Sequence, residues 1–202
     1  MTTEHFTLQG ARATTTAEST GRATMFIGAV SAGLVALALI ATATKIGTAF
    51  YAFGVIVLAT LTFVGLVTFE RVLQSAFEDH GYAERIARLR SYYFDWAPDL
   101  LPYLASVPPA QRLAIMGLRG GLWQGLRTIA GMVGVVTSVL AGSAAGLVAT
   151  IAAGHSAVAG FVTGAAVGAV SLTALMWYQH SGWQRILKLG MFEDTRDKPV
   201  AD

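Results

Sequence analysis

The 202-residue sequence has no cysteine and few charged residues. Without thiols the chain has no disulfide bonds, thiolate metal ligands or cysteine nucleophiles. Acidic and basic residues make up 13% of the chain and hydrophobic residues 54%, a balance that average soluble domains do not have. The formal net charge of +2 is too small to indicate bulk nucleic-acid binding. Composition therefore predicts a membrane protein whose surroundings are the lipid bilayer, with no nucleic acid as partner.

Four long apolar windows contain no Asp, Glu, Lys or Arg: residues 23–43, 48–69, 129–153 and 157–178. Each is long enough to cross a hydrocarbon core about 30 Å thick. Short segments join the first window to the second and the third to the fourth. The sequence therefore predicts an all-α integral membrane protein with four transmembrane helices arranged as two hairpins. Amphipathic helices are expected in the long connection between the hairpins.

These windows divide the chain into five parts. The first is rich in threonine and lacks apolar periodicity, so it is interpreted as a flexible polar tail. The parts are the N-terminal tail 1–22, the first hairpin 23–69, the connection 70–128, the glycine-rich second hairpin 129–178 and the C-terminal tail 179–202. In a competing interpretation the first apolar run is a secretory signal cleaved after residues 41–43, although the run is longer than a usual signal core.

The basic residues predict how the helices are oriented. Every Lys and Arg except Lys45 lies in one of the tails or in the connection 70–128. Basic residues near span ends are retained on the cytoplasmic side, and an even number of spans returns the chain to its starting side. We therefore expect both termini and the connection to be cytoplasmic, with the helices in the cell membrane.

Small residues recur at every fourth position in the third and fourth windows. This spacing puts them on one face of a helix, where another helix backbone can approach closely. Such a glycine zipper predicts tight helix packing, either within one chain or between subunits. The predicted packing residues are Gly134, Ser138, Gly142, Gly146, Gly154, Gly160, Gly164 and Gly168, and Thr150 and Ser156 continue the two series.

The connection 70–128 carries the residues most suited to contacts outside lipid. From Tyr82 to Trp96 apolar residues recur every three or four positions, which predicts an amphipathic helix with Asp79 as its N-cap. Four prolines then interrupt the chain before a second, glycine-containing helix. The predicted membrane-interface or partner-binding residues are Arg85, Arg88, Arg90, Tyr93, Trp96, Arg112, Arg119, Trp123 and Arg127.

Nothing in the sequence indicates catalysis, a metal or a cofactor. Glu78, Asp79 and His80 are metal-ligand types, but consecutive side chains on a helix point in different directions, so a solvated helix end explains them better. The apolar windows also lack the ionisable residues that ion and proton transporters retain in the membrane. We therefore predict that the protein is not an enzyme, has no cofactor and is not a charge-coupled pump.

Two functions remain after these exclusions. In the first, the protein self-associates as a homo-oligomer, or with another membrane protein, through the glycine-rich third and fourth helices, either without a pore or around one whose walls are small residues and hydroxyls. In the second, it is an accessory or scaffold subunit that binds a cytoplasmic partner or anionic lipid through residues 82–127. The sequence leaves open whether the glycine series pack within or between subunits.

Overall fold

The structure is a computed structural model that describes residues 2–44, 46–96, 99 and 125–188. Its helices, in chain order, are α1 (Thr2–Thr44), α2 (Thr48–Trp96), α3 (Ile129–Ala152) and α4 (Ala157–Lys188). All four are long and apolar enough to cross a membrane, and the described ranges contain no strand. This confirms the prediction of an all-helical chain with four candidate membrane-spanning helices.

Helices α1 and α2 are far longer than the apolar windows that they contain. They have 43 and 49 residues, or about 65 and 74 Å of helix, roughly twice a hydrocarbon core. Helix α1 includes nearly all of the segment 1–22, and α2 continues without a break from residue 69 to Trp96. The segment 1–22 is therefore helical from Thr2 onward, and its flexibility stays a prediction. Asp79 lies inside α2, so its assignment as an N-cap is wrong.

Threonines in the first half of α1 form hydrogen bonds inside their own helix. The hydroxyls of Thr14, Thr20 and Thr24 each donate to the carbonyl oxygen four residues earlier, at 2.9–3.0 Å. A hydroxyl satisfied in this way competes less with the helical backbone for hydrogen bonds. Helix α1 also carries a buried stripe at steps of seven, four, four, three and four residues, close to a coiled-coil pattern. The stripe consists of Leu8, Thr15, Ser19, Ala23, Phe26 and Val30.

The helices contact one another in chain order. Helix α2 packs along both α1 and α3, and α4 packs mainly on α3. The most deeply buried side chains come from α1, α2 and α3, and they are Phe26, Phe69, Val72, Val133 and Thr137. The outer face of α4 is uncovered, with Phe161 80% and Val158 74% exposed. The core of the bundle therefore lies where α1, α2 and α3 meet.

The two short turns lie together at one end of the bundle. The ring centroids of Tyr51, after the α1–α2 turn, and His155, in the α3–α4 turn, are 5.2 Å apart. Gly154 and His155 both have positive φ, +63° and +66°. At the opposite end, Arg12 of α1 contacts Asp79 of α2, and Phe77 of α2 contacts Trp183 of α4. The first residues of α1 and the last residues of α4 therefore lie at the same end.

Candidate functional site

Helices α3 and α4 contact each other at glycines, where no side chain separates the two backbones. A Cβ atom added to Gly142 would lie 2.5 Å from the carbonyl oxygen of Gly164, and one added to Gly146 would lie 2.7 Å from that of Gly160. Real Cβ atoms essentially never approach other atoms this closely. Any side chain at Gly142 or Gly146 would therefore push the two helices apart.

Other members of the glycine series have different surroundings. A Cβ on Gly134 would lie 3.2 Å from the Phe69 ring, and one on Gly168 would lie 3.4 Å from the carbonyl oxygen of Ser138. The buried Ser138 hydroxyl donates to the Gly134 carbonyl oxygen at 2.8 Å. A Cβ on Gly154, in the α3–α4 turn, would have nothing within 4 Å. The positive φ of Gly154 favours glycine for backbone reasons, so this residue differs from the other members.

Gly142 and Gly146 of α3 thus face Gly160 and Gly164 of α4 within one chain. A shallow groove of about 530 Å³ remains along the outer side of this pair. Its walls include Ser138, Ser143, Phe161, Ala165 and Leu172, together with the facing glycines. The groove is apolar and open, and a lipid acyl chain or another helix would fit its surface chemistry.

An ion pair joins α1 and α2 beyond their apolar windows. Arg12 donates from Nε to Asp79 Oδ1 at 2.7 Å and from Nη2 to Oδ2 at 3.2 Å. This two-point arrangement sets the relative position of the two helices as well as their separation. The side chains are 49% and 30% exposed, so the pair contributes less than about 1 kcal/mol to stability.

An aromatic contact joins α2 and α4 at the same end. The rings of Phe77 and Trp183 meet edge to face with centroids 5.0 Å apart, and His80 meets Trp183 at 5.4 Å. Gly182 makes room for this contact, since a Cβ there would lie 2.8 Å from the Phe77 ring. His80 also faces Glu84, with 3.3 Å between Nε2 and Oε1. Sequence analysis missed this junction because its members lie about one hundred residues apart.

The predicted basic and aromatic residues are only partly described. Arg85 and Arg88 are exposed near the end of α2, with Arg90 less exposed, and Trp96 is 78% exposed at its last position. Arg127 is exposed in the turn before α3. The side chain of Tyr93 lies outside the described residues, as do Arg112, Arg119 and Trp123. How the two basic groups of the connection lie relative to each other is therefore outside the described residues.

In the described part of the chain, no three His, Asp or Glu side chains are grouped to hold a metal ion. The described fold defines the class of protein. It is an all-helical protein with four candidate membrane-spanning helices and an exposed apolar surface. Comparisons with protein-family models, curated proteins and solved structures find no match to the chain. Its function is therefore inferred from its geometry.

Proposed function

We propose that the chain is a non-enzymatic, multi-pass membrane scaffold in the cell membrane. Its two hairpins, α1 with α2 and α3 with α4, anchor a cytoplasmic stalk formed by residues 2–22 of α1 and 70–96 of α2. The tip of this stalk binds an acidic surface on a protein partner. The observation that carries the proposal is the continuation of α1 and α2 beyond their apolar windows as helices joined by the Arg12 and Asp79 ion pair.

The orientation follows from the charges and from the shared end of the helices. Both long helices extend from the end of the bundle at which α1 begins and α4 finishes. In the sequence, every basic residue except Lys45 precedes the first apolar window, follows the fourth, or lies between the second and the third. Retention of basic residues on the cytoplasmic side puts the stalk and both termini in the cytoplasm.

The position of the basic residues favours a protein partner over the leaflet beneath it. Arg85 follows Phe69 by sixteen residues, which is about 24 Å of continuous helix. Electrostatic attraction to an anionic leaflet is screened over about 8 Å at physiological salt. Arg and Trp are also enriched at the centres of protein interfaces, and exposed Trp96 follows the three arginines. Contact with a protein therefore explains the stalk tip better than contact with lipid.

Site-specific photo-crosslinking in cells tests this proposal. A photoreactive amino acid at Arg88 should yield one protein adduct of defined mass, and the combined Arg85→Ala and Arg90→Ala change should reduce its yield several-fold. The same photoreactive group at Phe161, which is 80% exposed on α4, is the matched control and should yield lipid adducts. If position 88 yields only phospholipid adducts, or the same products as position 161, the proposal is wrong.

A second candidate function is self-association through the outer face of α3 and α4, around a pore or without one. It is supported by the groove of about 530 Å³ and by the exposed face of α4. Because Gly142 and Gly146 contact α4 of the same chain, this candidate is supported by the outer groove and not by these glycines. The mass of the protein in nanodiscs decides: a defined oligomer that Phe161→Ala and Val162→Ala dissociate supports self-association, and a monomer contradicts it.

A further inference from the structure

A second cavity lies where all four helices meet near the base of the stalk. This end pocket has a volume of about 190 Å³, which is far more than one bound water or ion needs. Its walls come from α1, α2, the start of α3 and the end of α4. The polar groups on them belong to Thr15, Thr16, Ser19, Ser75, Asp79, Thr128, Gln179 and Trp183.

Gln179 leaves an unsatisfied acceptor in this pocket. Its side chain is only 4% exposed. The amide nitrogen donates to the carbonyl oxygen of Gly125 and to Thr128 Oγ1, each at 3.3 Å, while Oε1 has no hydrogen-bond partner among the residues that the structure describes. Flipping the amide would not help, because the Gly125 carbonyl only accepts and the Thr128 hydroxyl already donates to it at 2.7 Å. Within the described ranges the buried Oε1 is therefore an open acceptor, which a donor on a bound ligand would satisfy.

The walls from α1 and α2 also mainly offer acceptors. The hydroxyls of Thr15 and Thr16 donate to the Arg12 carbonyl oxygen at 2.9 and 3.1 Å, and Ser75 donates to that of Arg71 at 3.0 Å. Their protons are thus used within the helices, and their lone pairs remain for a ligand. Asp79 adds a carboxylate, partly compensated by Arg12, and Trp183 adds an aromatic ring. This combination suits a primary ammonium group, which has three donors and a positive charge.

The start of α3 supplies the opposite chemistry. Thr128 caps α3 by accepting from Gly131 N at 3.0 Å, and Ile129 and Ala130, the first two residues of α3, also border the pocket. The N–H groups of a first helical turn have no acceptor within their own helix and lie at the positive end of its dipole. They therefore favour an oxyanion such as phosphate.

The pocket lies at the depth expected for lipid headgroups. Its residues Val72 to Ala76 follow the apolar window that ends at Phe69, Thr128 precedes the third window, and Gln179 follows the fourth. Headgroup layers extend about 5–7 Å beyond the hydrocarbon core on each side. A headgroup can thus reach the pocket from the bilayer, and a soluble molecule can reach it from the cytoplasm.

We infer that the end pocket binds a zwitterionic ligand that carries a phosphate and a primary ammonium group, as phosphoethanolamine does. The ammonium donates to Gln179 Oε1 and the hydroxyl oxygens of α1 and α2, and the phosphate accepts from the start of α3. Both phosphatidylethanolamine and free phosphoethanolamine carry this chemistry. The site is separate from the stalk tip, so it does not depend on the proposed protein partner.

Binding to the full chain in detergent tests the inference. The probes are phosphoethanolamine, a short-chain phosphatidylethanolamine and the two corresponding choline compounds, whose trimethylammonium group has no N–H donor. We expect the ethanolamine compounds to raise the thermal unfolding midpoint in a saturable way and the choline compounds to bind at least about tenfold more weakly. If only the lipid binds, the source is the membrane; if both bind, the headgroup alone is sufficient.

Two matched pairs of variants locate the site. Gln179→Leu should weaken ethanolamine binding about tenfold or more, whereas Gln184→Leu, at an exposed position of the same helix, should leave it unchanged. Thr15→Val removes a pocket hydroxyl at nearly constant volume, and its control Thr24→Val removes a hydroxyl outside the pocket, on the exposed side of α1. The Thr15 pair keeps the test valid if Gln179→Leu does not fold.

Three results would overturn the inference. Equal binding of ethanolamine and choline compounds would show that no ammonium donor is recognised. Absence of binding by all four probes would show that the pocket holds only water. Equal effects of each pocket variant and its control would place the binding elsewhere on the protein.

Discussion

At the scale of single residues, glycines determine how α3 and α4 pack, because they have no side chain to keep the two backbones apart. Gly142 and Gly146 of α3 lie directly against backbone atoms of Gly164 and Gly160 of α4. Backbone atoms cannot rotate away as the end of a flexible side chain can, so even one added methyl group forces the helices apart. Gly28 in the apolar window of α1 has the opposite surroundings, with nothing within 4 Å of its Cβ position.

Gly142→Ala and Gly28→Ala should therefore change stability in different directions. We expect Gly142→Ala to lower the free energy of unfolding by about 1–3 kcal/mol through overpacking. Gly28→Ala should be neutral or raise it by up to about 1 kcal/mol, because alanine favours a helix more than glycine does. Reversible unfolding in detergent measures both. Equal losses at the two positions would contradict the close packing of α3 against α4.

At the scale of whole elements, the main feature is the pairing of α1 and α2 outside the apolar windows. The buried stripe of α1 begins at Leu8 and includes the small polar residues Thr15 and Ser19. These side chains allow close approach without the apolar run that usually marks a packed helix. The single Arg12 and Asp79 ion pair is too exposed to hold the helices together alone, so most of the stabilisation must come from the packed stripe.

Cross-linking tests this pairing in a chain that has no natural cysteine. Cysteines replacing Arg12 and Asp79 should react rapidly with a short bifunctional maleimide, because the native side chains meet at 2.7 Å. The control pair replaces Arg12 and Arg71, and Arg71 lies eight residues, or about 12 Å, nearer the apolar window along α2. Equal reaction of both pairs would show that residues 2–22 are not held against α2.

At the scale of the whole molecule, both short turns lie at one end and the stalk at the other. A membrane between them would separate His155 from Gln184 by the thickness of the bilayer. The exposed apolar face of α4 is then lipid-facing and needs no protein cover. The proposed orientation places His155 outside the cell and Gln184 in the cytoplasm.

Single-cysteine labelling of intact cells checks this orientation. An impermeant maleimide should label His155→Cys, which lies in an exposed turn, and should label Gln184→Cys only after the membrane is permeabilised. Both positions are exposed, so a difference in labelling reports the side of the membrane and not burial. Labelling of position 184 alone in intact cells would invert the proposed orientation.

Prediction from sequence succeeded where a property is local and failed where it depends on distant residues. The windows without charge locate α3 and the start of α4 closely, because membrane-compatible helices require long uncharged runs, whereas α4 continues past its window to Lys188. The same method missed the helical state of residues 2–22, because their packed stripe is made largely of small and polar side chains. It also interpreted Asp79 as a cap, since no sequence pattern near position 79 indicates Arg12, sixty-seven residues earlier.

By itself, the sequence determined that the chain is helical and that four of its segments are suited to a membrane, since charge and apolar length are local properties of a segment. Only the tertiary structure decided that Gly142 and Gly146 of α3 face glycines of α4, that α1 and α2 stay paired beyond their apolar windows, and that Gln179 reaches Thr128. Each of these depends on which helix faces lie against each other. That choice is made by packing and hydrogen bonding between distant residues, because close contact is the main specific interaction available to apolar helices in lipid.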